Sequence, residues 1–434
     1  MRRPDTQLDA ATERKTFAAA AVGNLLEIYD FIAYGIFAVP ISRTFFATHS
    51  EFISLLLTFL TFAVGFVARP FGALVLGRYA DRVGRRRALS LTLTLMAAST
   101  LVLAVCPSYA SIGIAAPIIV TCGRLLQGFS AGGEIGGSVA MLVENAPGTR
   151  QGFASSFQQM SQGGGALLAG LVGLALTNLF SDVQISGGAW RIAFAFGLLI
   201  GPVGWYIRSS IPETRAFEEA KREAAPPLLP TLVAHRWQLL GGVAIMVFWT
   251  IATYVSNYFT TYSVRELHMT MLQSYLGQLA YGITMVVMCP IIGKLSDRIG
   301  VRKPMLFGAL LTAISAYPLF WLLAHHPGPG PLMMVQACIG LLLACYAACA
   351  SSVLADIFPT RFRATGVGFA YAIGVTVFGG LTPLAVTSLI DLTGDKLVIG
   401  YYLAAAAVIS SIAVAIATPK REARVEPSAQ VAVE

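Results

Sequence analysis

Charge is the scarcest ingredient of this sequence: Asp, Glu, Lys and Arg supply 12% of its 434 residues, about half the share usual in soluble domains. A chain so poor in charge cannot keep a folded surface in water. Cysteine is sparse too. Cys122, Cys289, Cys338, Cys345 and Cys349 lie inside apolar runs and Cys106 at the end of one, with no CxxC pair or other ligand spacing. That excludes a disulfide framework and a zinc site, and the Cys338, Cys345, Cys349 stripe reads as helix packing. No nucleophile and base stand at a credible spacing, so an enzyme is not expected, nor is a metal or organic cofactor. The net charge of +8 does not mark a nucleic-acid binder, because the basic residues sit in short loops rather than clustered with aromatics on one face.

What the sequence has in abundance is apolar length. It is 56% hydrophobic, with mean hydropathy +0.70. A helix needs about 20 mostly apolar residues to cross about 30 Å of hydrocarbon. Runs of that length predict twelve spans, at 17–42, 52–76, 88–106, 112–142, 152–180, 190–208, 237–263, 270–293, 304–324, 331–356, 366–390 and 398–418. The first follows Arg2, Arg3, Arg14 and Lys15 and is too long for a signal-peptide core, so it reads as a retained helix. One long polar stretch, Ser209 to Arg236, divides the spans six and six. The expected organisation is a tail (1–16), a six-helix bundle (17–208), a linker (209–236), a second bundle (237–418) and a tail (419–434). This describes an all-α, multi-pass protein of the inner (plasma) membrane, surrounded by lipid bilayer and expected to act as a monomer. Basic residues are retained on the cytoplasmic side. With both termini cytoplasmic, 24 of the 30 lysines and arginines fall in cytoplasmic segments.

The two halves repeat. Gly77-Arg78-Tyr79-Ala80-Asp81-Arg82-Val83-Gly84-Arg85-Arg86 recurs as Gly293-Lys294-Leu295-Ser296-Asp297-Arg298-Ile299-Gly300-Val301-Arg302, an offset of 216, each copy joining the second and third helices of its half. Glu144-Asn145-Ala146-Pro147 and Asp356-Ile357-Phe358-Pro359 follow the fourth helices at an offset of 212. Internal repeats are how many transporters build a site that opens to either side. The doubled loop resembles the signature of the major facilitator superfamily, and the resemblance covers the whole chain. It implies two pseudo-symmetric six-helix bundles and a loop that locks the cytoplasmic side when the site faces outward. The implied gate residues are Gly77, Asp81, Arg82, Gly84 and Arg85, with Asp297 and Arg298 in the second copy, where Val301 replaces a basic residue. Gly77 and Gly84 permit tight turns and close helix contact, while Asp81 and the arginines can form ion pairs and oppose a neighbouring helix end.

An ionisable side chain at a helix centre costs roughly 2.5–3.5 kcal/mol on insertion scales and marks a candidate functional site. Five are expected at membrane depth, all in the first half: Glu27, Asp30, Arg69, Arg124 and Glu134. Asn24, Glu27 and Tyr34, with Asp30 beside them, share one side of helix 1 by three- and four-residue spacing. Arg124 and Gln127 are neighbours on helix 4, with Glu134 about two turns further on. Helix 5 adds Gln158, Gln159 and Gln162, and helix 7 adds Tyr254, Asn257 and Tyr258. On one reading Arg124 binds a substrate carboxylate through its planar fork of donors, while Glu27, Asp30 or Glu134 carries a proton, since burial favours the neutral acid. On another, Arg124 and Glu27 are a buried pair ordering helices 1 and 4. Arg69, followed by Pro70, divides between substrate and structure. Gly132, Gly133, Gly136, Gly137 and Gly163 to Gly165 have no strand before them and read as close helix contact, not as phosphate loops.

Within the superfamily, Gly23-Asn24-Leu25-Leu26-Glu27-Ile28-Tyr29-Asp30-Phe31, Ala68-Arg69-Pro70-Phe71-Gly72 and Gly123-Arg124-Leu125-Leu126-Gln127-Gly128-Phe129-Ser130-Ala131-Gly132-Gly133-Glu134 resemble the metabolite:proton symporter family. Phe378-Gly379-Gly380-Leu381-Thr382-Pro383 and Leu392-Thr393-Gly394-Asp395-Lys396 resemble its citrate and tricarballylate symporters. The resemblance implies proton-coupled uptake of a small organic anion, a tricarboxylate, by alternating access. A dicarboxylate such as 2-oxoglutarate, or a zwitterionic solute such as proline or betaine, is the alternative, and Arg124 argues against a purely cationic ligand. A receptor would need an appended signalling domain, and the segment from Pro419 to Glu434 is short and polar.

Overall fold

Long apolar runs become long helices. The computed structural model describes residues 24–25, 27–46, 50–145, 150–198, 202 and 228–417; the expected tails, residues 17–23 and the linker as far as 227 lie outside the described residues. The first half holds α1 (27–36, turning at Phe37 into Ala38–Phe45), α2 (Glu51–Val83), α3 (Arg85–Val105), α4 (Ala115–Asn145), α5 (Gln151–Leu179) and α6 (191–198). The second holds α7 (Arg236–Arg265), α8 (Met271–Ile299), α9 (Arg302–His325), α10 (Pro329–Ile357), α11 (Arg363–Gly374, a π-turn over Val375–Gly379, then Thr382–Thr393) and α12 (Val398–Ala417). All twelve expected spans are represented. Nine of the described helices are long and apolar enough to cross a membrane. α4 is not among those nine, because Arg124, Gln127, Ser130, Glu134 and its glycines dilute its apolar content.

The repeated motif lies on helix, not in a loop. At 33 residues α2 is about 50 Å long, more than the hydrocarbon requires, so its last turns protrude and carry Gly77 to Val83. The connection to α3 is Gly84 alone, at φ 122°, and Gly300 at φ 87° ends α8 in the same way. Only glycine adopts such backbone readily.

Glycines also set the packing inside the first half. A Cβ on Gly132 would overlap the carbonyl of Arg69, and one on Gly128 the carbonyl of Gly65, so α4 lies backbone to backbone against α2. Gly136 meets Ala364 and Gly368 of α11 across the seam between halves. The pairing of α5 with α8, extensive among the described residues, also crosses that seam. Pro70 shapes the seam by what it lacks. Without an N–H it leaves the Phe66 carbonyl, four residues earlier, with no helical donor, and Thr376 Oγ1 of α11 donates to that carbonyl at 2.7 Å.

Gly132→Val should force α2 and α4 apart, since the obstructing atom is backbone, and cost about 1–3 kcal/mol. Thermal unfolding in detergent reads the loss; an unchanged midpoint would show that α2 and α4 do not depend on this approach.

Candidate functional site

Seven helices, α1 to α5 with α7 and α11, contribute to the buried polar groups of the site. Arg69 and Glu27 form an ion pair, Nη2 to Oε1 at 3.1 Å, with both side chains buried. The structural alternative read from the sequence paired Glu27 with Arg124; in the structure Glu27 pairs with Arg69 of α2 instead. The Tyr371 hydroxyl of α11 lies against Arg69 and accepts from Gln162 Nε2 at 3.4 Å. Tyr371 was not singled out in the sequence, because a tyrosine in an apolar run carries no signal of what it faces.

Arg124 is fully buried. Its Nη1 donates to Gln127 Oε1, and Gln127 Nε2 in turn reaches Asp30 Oδ2 at 3.4 Å. Asp30 also accepts from Thr100 Oγ1 of α3 and lies against Gly197 of α6. The face read from helix 1 is therefore divided: Glu27 turns to α2, Asp30 to α3 and α6. Aromatic rings hold the two guanidinium groups. The Cζ of Arg124 lies 4.4 Å from the Tyr34 ring, 4.8 Å from Phe31 and 5.1 Å from Phe62. That of Arg69 lies 4.4 Å from Phe31 and 4.7 Å from Phe66. In Arg124, Nε and Nη2, the two donors along one edge of the guanidinium, make no hydrogen bond among the described residues, whereas the same edge of Arg69 is engaged through Nη2 by Glu27.

The remaining expected residues fall around this centre. Asn24 Nδ2 donates to Gln158 O at 3.0 Å and Ser161 Oγ at 2.8 Å, while Gln158 Nε2 donates back to Asn24 Oδ1 at 2.9 Å. Ser138 Oγ of α4 completes that lock on Gln158 at 3.0 Å, so Asn24 and Gln158 join α1, α4 and α5. The Tyr34 hydroxyl donates to Thr58 O at 3.2 Å. Glu134 accepts from Thr92 Oγ1 at 2.8 Å, between α3 and α4. Tyr254 packs edge-on to Phe66 at 5.5 Å. Asn257 accepts from Gln278 of α8 at 3.2 Å, and Tyr258 bonds Thr387 at 2.6 Å, so both serve contacts within the second half. Among the described residues, no group of three or more His, Cys, Asp or Glu side chains is spaced to hold a metal ion.

A second constellation ties the halves together at the motif end. Asp81 Oδ2 accepts from Thr365 N at 3.0 Å and Thr365 Oγ1 at 2.6 Å, capping the start of α11, where unpaired N–H groups gather. Asp297 mirrors it on α5, accepting from Gly152 N at 2.7 Å and Phe153 N at 3.0 Å. Arg85 stands 3.3 Å from Asp81 and donates to Thr360 O across the seam at 3.0 Å. The second copy has Val301 where the first has Arg85, so its clamp lacks that arm. Gly77 lets α2 approach Thr365 closely. Arg82 and Arg298 are exposed at the same end.

Residues 264–432 match the family model for the Major Facilitator Superfamily, and residues 16–229 that described as "Sugar (and other) transporter". The chain is 38% identical to the citrate-proton symporter of Klebsiella pneumoniae over 90% of its own length and 88% of that protein. The chain belongs to the major facilitator superfamily. Membership makes it a multi-pass membrane transporter and not an enzyme. It is also 36% identical to the citrate-proton symporter of Salmonella typhi, covering 94% of this chain and 95% of that protein, and 30% identical to the proline/betaine transporter of Escherichia coli K12, covering 94% and 84%. Among solved structures, the proton:xylose symporter XylE shares the fold at a TM-score of 0.78 and 17% identity, over 93% of this chain and 95% of that one.

Arg69→Met should destabilise the protein by about 3–5 kcal/mol, because it removes the cation from a buried carboxylate. Adding Glu27→Gln should restore most of that stability. Equal unfolding midpoints for the single and double variants would show the ion pair is not what holds these helices.

Proposed function

We propose that this chain is a proton-coupled symporter that takes up a tricarboxylate, citrate or tricarballylate, by alternating access. The observation that carries this reading is Arg124: a fully buried guanidinium laid on three rings, with its Nε and Nη2 edge unbonded among the described residues. Such an edge matches the two oxygens of a carboxylate. Arg69 supplies a second fork within the same aromatic cluster, with Gln127, Gln162, Tyr34 and Tyr254 around them. Asn24 and Gln158 position the helices, and Asn257 and Tyr258 shape the facing half. The likeness to citrate-proton symporters at 36–38% identity, against 30–32% for the proline and betaine transporters, supports the same ligand class.

Coupling follows from competition. A substrate carboxylate reaching Arg69 contends with Glu27, 3.1 Å away, and a displaced carboxylate in a dry site takes up a proton. Glu27 and Asp30 are the carriers in this scheme. Glu134, held by Thr92, would pass protons between α3 and α4. H+ is the coupling ion, and no metal or organic cofactor takes part. The protein works as a monomer in the inner membrane with both termini cytoplasmic, which puts the motif end inside. Gly77, Asp81, Gly84, Arg85 and Asp297 form its gate, and Arg82 and Arg298 anchor it at the surface.

Vesicles carrying the protein should concentrate labelled citrate and tricarballylate when an inward proton gradient is imposed, and 2-oxoglutarate less well. Arg124→Gln should weaken citrate binding at least tenfold. Concentrative uptake that survives collapse of the gradient would rule out proton symport, and unchanged affinity would return Arg124 to a structural role. For the gate, spin labels at exposed positions 87 and 303, in opposite halves, should show longer separations in Asp81→Asn/Asp297→Asn than in the parent protein. Identical distance distributions would mean that the two caps do not hold this end closed.

A further inference from the structure

The Phe31 ring is shared. Arg69 and Arg124 both lie over it, their Cζ atoms 4.4 and 4.8 Å from its centroid, although two cations in a dry interior repel each other. Phe31 is buried and its own position is fixed by Phe62 at 5.8 Å and Phe66 at 5.4 Å. Phe62 packs in turn on Tyr34 and Phe66, and Phe66 on Tyr254. A guanidinium held by its face keeps its in-plane donors free to point at an anion: the Nε and Nη2 edge of Arg124 makes no hydrogen bond among the described residues, and the same edge of Arg69 points at the Glu27 carboxylate.

We infer that Phe31 is the specificity-determining platform of the site: it fixes the spacing of two guanidinium forks, and so selects anions whose separate carboxylates reach both at once. This rests on the anion-transport reading above. It narrows the ligand class to polycarboxylates with two or more ends to bind, and disfavours monocarboxylates and zwitterions, which engage one fork and leave the other unanswered. The two forks differ in character. The Arg69 edge faces Glu27 across the ion pair, so an anion binding there displaces an internal rival, whereas Asp30 reaches Arg124 through Gln127 and forms no direct ion pair with it among the described residues. A tricarboxylate therefore gains most from having both forks at a fixed separation, and Phe31 is what both of them touch.

The test compares Phe31→Leu, which keeps bulk and removes the π face, with Phe31→Tyr, which keeps both. A desolvated cation–π contact is worth roughly thirtyfold in an equilibrium. Phe31→Leu should raise the KM for citrate and tricarballylate by about that factor, with maximal rate within threefold. The KM for a monocarboxylate such as lactate should barely move, so the preference for tricarboxylates collapses. Phe31→Tyr should restore the parent KM and preference. A Leu variant that keeps the parent preference, or a Tyr variant that loses it as Leu does, overturns the inference. Should the Leu variant fail to reach the membrane, Phe31→Met serves the same arm. Absence of any proton-driven polycarboxylate uptake by the parent protein would instead sink the transport reading, before any variant is compared.

Discussion

A charge in hydrocarbon has to be answered locally, and most of the first half is organised around that requirement. Four ionisable groups of the site are buried in the first half: Glu27 and Asp30 with Arg69 and Arg124. With both acids deprotonated the formal charges would cancel, and among the described residues Glu27 and Arg69 form a direct ion pair. Arg124 is held by ring faces and an amide, and Asp30 by a hydroxyl and an amide. Breaking a buried pair costs about 3–5 kcal/mol, a large part of the 5–15 kcal/mol that keeps a domain folded. The site therefore cannot gain a net anion without a proton or a compensating shift. Under the proposed reading, proton coupling is a consequence of this balance, not a device added to it.

The seam between halves obeys a different scale. Each motif aspartate caps a helix start in the opposite half, and a charged cap is worth about 1–2 kcal/mol. Two such caps, with the Arg85 arm on one side only, amount to a few kcal/mol. Binding of a micromolar ligand releases about 8 kcal/mol, so part of that energy suffices to exchange one closed end for the other. A seam of buried ion pairs would be too costly to open on this scale; a seam of capped helix ends and close glycine contacts is not. The same reasoning explains why Thr376, a hydroxyl on a proline-freed carbonyl, joins α11 to α2 near the arginines.

The twelve spans, the repeat and the five buried charges were legible because each depends on a local rule: apolar length, a fixed offset, the rarity of charge at depth. The glycines of α4 were legible as packing residues for the same reason. Pairing was not. Three- and four-residue spacing put Glu27 and Asp30 on one side of a helix, but which neighbour each meets depends on how α2, α3 and α6 rotate against α1. Phe31, Phe62 and Phe66 passed as ordinary apolar residues, since a ring under a guanidinium and a ring in a core look alike in sequence. Thr92, Thr100 and Thr365 were invisible likewise, because their role is to answer a carboxylate that reaches them from another helix. The motif itself was read as a loop, and its helical course becomes apparent only once α2 is long enough to protrude.

The uneven division of charge has a mechanical meaning. The second half offers the site rings and hydroxyls: Tyr254, Tyr371 and Thr376. When two bundles rock against one another, whatever crosses the seam must be remade at each cycle. Ring contacts such as Phe66 with Tyr254, and hydroxyl bonds such as Thr376 to Phe66 O, are remade for about 1 kcal/mol each. Moving a charged side chain out of its partners at the same depth costs several times more. With every deep charge on one bundle, the pairs travel together and keep their partners while the neutral bundle slides past. The π-turn of α11, Val375–Gly379, lies where that sliding face meets the arginine cluster: a Cβ on Gly379 would press on the Tyr254 ring, and one on Gly380 on Phe66. A π-turn loosens helical hydrogen bonding at one point, which lets α11 bend there and leaves its capped start at Thr365 undisturbed. Bending at the site with closure at the motif end is the combination that alternating access requires of this helix.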